Sequence, residues 1–468
     1  MNVHARPPVQ GVTATERLVA FVCDARPNEE VREHAVRAIL DTLAVTFAGR
    51  IEEPVRRLEA SLDQAAGPRA VPSLWCAERY AAVDAALLLG IASHILDYDD
   101  VSMLSVCHPS APVLSALLCA VPPERVSGAD VVDAFAVGTE VLIRLGQAMG
   151  FRHYALGFHA TGTLGAVGAA AACARLMGLD RTRAAHAISI AASMSSGLQK
   201  NFGSMVKSLH VGIAAANGLR AARLAQGGIE GSHDAIDGRG FLFAFSGGET
   251  DAWRDTLRLG EPFAMVDPGF EQKRYPCCYM LHRMIQATLT LVRQNGVALA
   301  DVARARVDMP QGGTNPLIHP YPKSGLNALF SAPYAVIASL ADGRIELRSF
   351  DDAAVLRPDI QSRLRDVTVV ESATPLSPGV TIGDAPVTVT LSLKSGASIA
   401  HTITASPGSK DDPLTPAQLN AKWVDCLGRG LPHLDGKTAA ARFEQGLGIC
   451  GLPRFGDWLS QLRPNTVA

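Results

Sequence analysis

The sequence predicts a mainly α fold, a large all-helical domain with a smaller α+β domain set into its C-terminal half, and three observations carry that prediction. Apolar residues recur at helical spacing from about residue 13 to 265. The composition then turns towards proline, threonine and alternating valine, the pattern of half-buried strands. Near residue 415 a helix start returns the chain to its first pattern, so both ends are expected to share one domain. The boundaries predicted are 1–265 with 405–468 for the helical domain and 266–404 for the α+β domain. At 468 residues the chain exceeds what one hydrophobic core usually supports.

Thr13-x-x-Glu16 is a capping-box signature ahead of Leu18, Val19, Phe21 and Val22. A second helix keeps Val31, Ala35, Leu40, Leu43 and Phe47 near one face, with Gly49 placed to stop it. Ser127-x-x-Asp130 starts another, whose buried side is Val131, Ala134, Phe135, Val137, Val141 and Leu145. The alanine- and glycine-rich stretches 163–176 and 211–224 predict central helices whose backbones approach closely, because glycine in a helix has to be offset by tight packing. Beyond residue 265, 302–309 and 367–370 read as strands, 387–393 and 397–404 as a hairpin about Lys394-Ser395-Gly396, and 330–340 as a helix on that sheet. Thr415-Pro416-Ala417-Gln418 combines an N-cap, a first-turn proline and a reciprocal glutamine.

The charge balance excludes several partners. Lysine plus arginine total 43 against 45 aspartate plus glutamate, so the broad positive field required by nucleic acid or an anionic membrane is missing. The nine cysteines form no C-x-x-C pair, which predicts reduced thiols and no structural zinc or iron–sulfur cluster. The first residues lack the features of a secretory signal, and the apolar run 161–178 carries Arg175, so a cytoplasmic protein with a small-molecule partner is expected.

Four segments could carry chemistry. The first crowds His94, Asp97, Asp99 and Asp100 ahead of His108-Pro109-Ser110, and Asp97 beside an imidazole would orient it for proton transfer. The second brings Tyr154 and His159 to the start of the small-residue helix, where free N–H groups and the helix dipole favour a carboxylate. In the third, Lys200 reads as solvent-facing, whereas Lys207 precedes a helix too apolar for the surface. The fourth, Lys273-Arg274-Tyr275-Pro276-Cys277-Cys278 with His282 and Arg283 following, lies at the domain junction, and its cysteines read as buried and inert.

In order, Leu96-Asp97-Tyr98-Asp99-Asp100 with His108-Pro109-Ser110, Gly157-Phe158-His159, Lys207-x-x-His210-Val211-Gly212, Lys273-Arg274-Tyr275-Pro276 and Phe330-Ser331-Ala332-Pro333-Tyr334 with Asp342-Gly343 resemble the MmgE/PrpD family, which includes 2-methylcitrate dehydratase, cis-aconitate decarboxylase and iminodisuccinate epimerase. The resemblance implies a helical domain formed by both chain ends, an α+β lid, a homodimer, and no metal or organic cofactor. It implies a decarboxylase-type site of Asp97, His108, His159, Lys207, Lys273 and Tyr334, or, in epimerase-type members, an acid–base pair matching Tyr154 and Lys273. One departure stands out. The dehydratases and decarboxylases carry Thr-Trp after the acidic cluster where this chain has Val101-Ser102, and this loop together with 200–205 looks more like the epimerase.

Three functions follow as expectations: a cofactor-independent lyase, either dehydratase or decarboxylase, on a small di- or tricarboxylate; an epimerase or racemase of a substituted succinate; or a non-catalytic helical binding protein. For the enzymes, Lys207 and His159 with Arg274 or Arg283 would bind carboxylates, and His108 and Lys273 would move the proton. Asp97 would orient His108, and Tyr154 and Tyr334 would donate protons or fix the substrate. Lys273 can act as a base only if Arg274 and a dry junction lower its pKa.

Overall fold

A computed structural model of the chain describes residues 12–463, apart from 68–69, 77, 249–252, 254–256 and 378–379. Residues 1–11 of the N-terminal stretch read for an export signal lie outside the described residues. Helix α1 (Ala14–Asp24) opens on the expected capping box: Thr13 Oγ1 accepts from the Glu16 N–H at 3.0 Å, and the Glu16 carboxylate accepts from the Thr13 N–H at 2.8 Å. Helix α2 (Glu29–Gly49) follows, then α3 (Glu53–Ser61) and a short antiparallel ribbon of β1 (Ala70–Pro72) and β2 (Arg79–Ala81). Gly49 does not act as a left-handed stop. It remains helical, and a Cβ there would lie 2.1 Å from the Ala92 carbonyl oxygen, so its role is to admit a neighbouring helix.

That neighbour is α4 (Ala82–His94), followed by α5 (Ser110–Ala120), α6 (Gly128–Ala155), α7 (Ala160–Leu176), α8 (Arg181–Ser193), α9 (Met205–Gln226) and the short α10 (Phe241–Ser246). The two small-residue stretches become α7 and α9, which lie against one another in the middle of the bundle. The reason for their composition is geometric. A Cβ on Gly90 of α4 would sit 2.5 Å from the Cα of Gly212 on α9, and one on Gly138 of α6 would sit 2.7 Å from the Gly168 carbonyl oxygen on α7. At such crossings backbone meets backbone, and the dispersion attraction between closely packed helices offsets the poor helix propensity of glycine.

Helix α11 (Tyr279–Asn295) begins a second core. The sheet beside it runs in the order β4 (Val367–Glu371), β3 (Val302–Met309), β5 (Val387–Leu393), β6 (Ser398–Ile403). Strands β3 and β4 are parallel, and the other two pairings are antiparallel. Val387, Val389 and Leu391 alternate inwards against α11, as the period-2 pattern requires. Helix α12 (Ala332–Asp342) starts two residues later than predicted, on a Ser331 N-cap, and packs on α11.

The tail, α13 (Pro416–Gly430) and α14 (Gly436–Leu447), returns to the first core, where α13 lies on α2. Trp423 on α13 is 1% exposed and donates its indole N–H to the Ala439 carbonyl at 2.8 Å. The first core therefore draws on residues 14–265, Leu347 and 414–462, and the second on 275–391 with Val101. Among the described residues no helix is long and apolar enough to cross a membrane.

Candidate active site

The loop leaving α4 is fixed to a distant segment before any side chain of the site is considered. Val101 and Glu271 exchange backbone hydrogen bonds at 3.0 and 2.8 Å, and Ser102 pairs with Cys107 to close the 102–107 turn. The Tyr98 hydroxyl donates to the Arg274 carbonyl at 3.2 Å. Lys422, on α13, donates to the carbonyls of Tyr98 at 2.8 Å and Lys273 at 3.0 Å, pairs with Asp41 of α2 at 2.7 Å, and lies 3.8 Å from the centre of the Tyr98 ring. Residues 97–101 and 271–274 are thus held side by side from three directions. Asp97 itself has φ = 48°, a left-handed conformation that aspartate tolerates better than most residues and that turns its carboxylate towards Lys273.

On this frame the charged groups converge. Lys273 Nζ donates to Asp97 Oδ1 at 2.7 Å and to its carbonyl at 2.8 Å, and Lys207 Nζ stands 3.2 Å from the same Oδ1. Lys207 is in the first turn of α9, with its ammonium over the rings of Phe202 and Phe330 at 5.6 and 5.1 Å. His108 lies between Asp97 (Nε2 at 3.7 Å) and Asp99 (Nδ1 at 3.3 Å), edge-on to His94. His94 in turn binds Asp99 at 2.8 Å, and His159, the N-cap of α7, meets His210 at 3.1 Å between ring nitrogens. Asp97, His108, Tyr154, His159, Lys207 and Lys273 all line one cavity of about 100 Å³ between the two cores, roofed by Met280, Phe330 and Ile382 of the second.

Burial and charge set the protonation states. Burial alone would raise the Asp97 carboxyl, but the Lys207 and Lys273 ammonium groups outweigh it and hold it well below the carboxylate range. Asp99 is held low in the same way, against its burial, by His108 and His94. For Asp100 the burial prevails. Burial pushes it up to about 8, and it stays close to the Ser110 hydroxyl. His94 is pulled down to about 4 by burial, and His159 is pushed far below its usual range by burial and the surrounding cations, so both are neutral imidazoles. Burial lowers Lys273, but Asp97 and Asp99 reverse that and leave it raised.

Lys273 is therefore an ammonium tied to a carboxylate, which corrects the expectation that Arg274 would make it a base. Burial also raises the Tyr154 phenol, making it a proton donor. Three expected site residues fall elsewhere. The Tyr334 hydroxyl is committed to the Ser349 carbonyl inside the second core. Arg283 is buried with its guanidinium on the carbonyls of Ile382, Gly383 and Ala385, so it shapes the roof and does not reach the cavity. Arg274 supplies a carbonyl to Tyr98, and its side chain is not among the lining groups. Cys278 does line the cavity, but burial pushes its thiol up to about 11, consistent with an inert role.

The sequence reading did not find Asp41 and Lys422 as a pair. A signal existed: each is a lone charge within an apolar helical stripe, Lys422 among Leu419, Trp423 and Cys426, and Asp41 beside Leu40 and Leu43. His94, Asp97, Asp99 and His108 each place one donor atom within 4.8 Å of the others, a spacing that could hold a metal. Both lysines stand on Asp97 Oδ1, so the chain's own ammonium groups already offset the negative charge of this donor set.

The chain is thus a helical bundle carrying both chain ends, with a second core roofing a polar cleft in which two lysines meet on a buried aspartate. The MmgE/PrpD N-terminal domain matches residues 16–254 and the MmgE/PrpD C-terminal domain matches residues 275–444, so the chain belongs to the MmgE/PrpD family. The family's C-terminal domain includes α13 and most of α14, which pack into the first core and not the second. Cis-aconitate decarboxylase of Homo sapiens is 28% identical over 85% of this chain and 83% of its own length. The Mus musculus protein of the same name is 28% identical over 76% and 75%, and that of Aspergillus terreus 27% over 72% and 74%.

Proposed function

We propose that the protein is a lyase that removes carbon dioxide or water from a small di- or tricarboxylate by moving a proton beside a carboxylate, with no metal or organic cofactor. The observation that carries this reading is the meeting of Lys207 and Lys273, from segments far apart in the chain, on one carboxylate inside a cavity also lined by two imidazoles. When carbon dioxide leaves from, or a proton is taken from, a carbon next to a carboxylate, the electron pair left on that carbon spreads onto the carboxyl oxygens, and fixed cations in a water-poor site stabilise that charge. Lys207, at the cavity edge, and neutral His159 hold the substrate carboxylate. Lys273, locked by Asp97, supplies the positive field. His108, oriented by Asp97 and Asp99, transfers the proton, and Tyr154 donates a hydrogen bond or a proton from the cavity wall. The decarboxylase names of the relatives favour carbon dioxide as the leaving group.

Epimerisation, towards which the Val101-Ser102 departure leaned, requires a free base opposite a donor. The Tyr154 and Lys273 pair supplies two donors, because the phenol is raised by burial and the ammonium is held by Asp97. The nine cysteines are all unpaired, which fits a reducing, cytoplasmic setting. The test is to incubate the purified protein in heavy water with citrate, 2-methylcitrate, cis-aconitate and alkyl-substituted maleates. The expected result is carbon dioxide or alkene release, with deuterium in any product that gains a proton on carbon. If no acid in the panel yields either product, the lyase reading is lost.

A further inference from the structure

His210 has no part in the chemistry described so far. It follows Lys207 by three residues on α9, about one helical turn, so both side chains leave the helix on the same side. Lys207 reaches Asp97, and His210 reaches His159: their two Nδ1 atoms are 3.1 Å apart, with the residues 7% and 2% exposed. Two bare ring nitrogens at that separation would set lone pair against lone pair, so one of them carries a proton. Burial and Lys207 hold His210 below its usual range, as burial and the surrounding cations hold His159, and each ring is a neutral imidazole with a single N–H.

The contact is built into the packing. The His159 N–H donates to the Gly197 carbonyl at 3.0 Å, a Cβ on Gly197 would lie 3.4 Å from His159 Cβ and 3.5 Å from His210 Cγ, and Phe202 stands edge-on to the His159 ring at 5.0 Å. With Nδ1 engaged, Nε2 is the polar atom that the His159 ring has left, it takes no partner among the described residues, and the ring lines the cavity. The direction of the bond between the rings therefore decides what Nε2 offers. If His159 donated, a bare Nε2 lone pair would face a bound carboxylate and repel it; if His210 donates, Nε2 carries the hydrogen and binds it. Resting on the lyase reading of this same site, we infer that His210 is a positioning residue whose Nδ1–H donates to His159 Nδ1 and so fixes His159 as the Nε2–H tautomer that holds the substrate carboxylate.

Imidazole NMR on the full-length protein labelled with nitrogen-15 histidine reads both tautomers, and tricarballylate, which has neither a hydroxyl nor an alkene to react, is the probe for titration calorimetry. The expected result is His159 protonated at Nε2 and His210 at Nδ1. His210→Leu is expected to weaken tricarballylate binding about 10-fold and to move His159 protonation towards Nδ1. His210→Asn, whose amide N–H stands where the Nδ1–H stood, is expected to restore both. Protonation of His159 at Nδ1 in the unmodified protein, or an affinity that His210→Leu leaves unchanged, overturns the inference and leaves the lyase site intact, with Lys207→Met still abolishing binding. A loss that His210→Asn does not reverse marks a packing role and overturns it too. No binding of tricarballylate, or binding that survives Lys207→Met, removes the site reading and this inference with it.

Discussion

Two buried ammonium–carboxylate clusters adjoin through the backbone of Lys273, and they differ in what surrounds them. In the Asp41–Lys422 pair the side chains are 0% and 1% exposed, and the ammonium's remaining donors go to the Tyr98 and Lys273 carbonyls. In the Asp97 cluster Lys207 is 9% exposed, His108 is 12% exposed, and both line the cavity. The sealed pair fixes where the backbone runs, whereas the open cluster leaves charges that a ligand can recruit. Burial of an ion pair is weak evidence of stabilisation, since well-packed apolar residues often do as well. Its value at Asp41–Lys422 lies in placing the neighbouring cluster.

The comparison can be broken by substitution. Lys273→Ala is expected to have the largest effect, a fall in kcat of about 10²–10³-fold or more together with a stability loss of about 3–5 kcal/mol from the Asp97 charge left behind, read by turnover and urea denaturation. His108→Ala should lower kcat by about 10²–10⁴-fold, and the urea midpoint should fall as well, because buried Asp99 loses one of the two imidazoles that hold it. Asp41→Ala should cost about 3–5 kcal/mol by stranding Lys422. The pair Asp41→Leu with Lys422→Met should recover most of that stability but not the activity, since the two carbonyls lose their donor. Recovery of both would show that the sealed pair positions nothing.

A milder test uses pH. Burial keeps the folded Asp100 carboxyl protonated up to about 8, whereas an exposed aspartate ionises near ~4. Between those values the folded state holds the extra proton, so raising the pH removes stability until the folded group also ionises. Glu271, pushed up to about 8 by burial, acts in the same direction. The Tm should therefore fall between pH 6.5 and 8, and Asp100→Asn should flatten the decline. The smallest effect is expected from Tyr334→Phe, a loss of about 1 kcal/mol for one hydrogen bond with kcat unchanged. A large kcat effect there would return Tyr334 to the site.

The helices that announce themselves by capping residues and one-sided apolar spacing, such as those starting at Thr13, Ser127 and Thr415, were legible because the signal is local. Close-packed helices α7 and α9 were legible from composition. The role of Gly49 was not, because what it accommodates is a carbonyl more than forty residues away. The site divides in the same way. Asp97, His108, Tyr154, His159, Lys207 and Lys273 share a cavity, and their clustering in short polar segments between apolar ones gave them away. Arg274, Arg283 and Tyr334 were misplaced because proximity in sequence says nothing about which way a side chain leaves the backbone. The protonation of Lys273 was missed for a related reason, since its partner is 176 residues away.

The crossing of Gly90 and Gly212 acts on the site from outside it. Gly90 lies four residues before His94, and Gly212 five after Lys207, so the hinge of contact between α4 and α9 sits about one turn from both. The two backbones meet there, and even one methyl would force the two helices apart and carry the lysine away from its aspartate. The spacing of Lys207 from Asp97 is thus set at a point that itself carries no polar side chain, and tolerance for change should be lowest where no charged group marks the place.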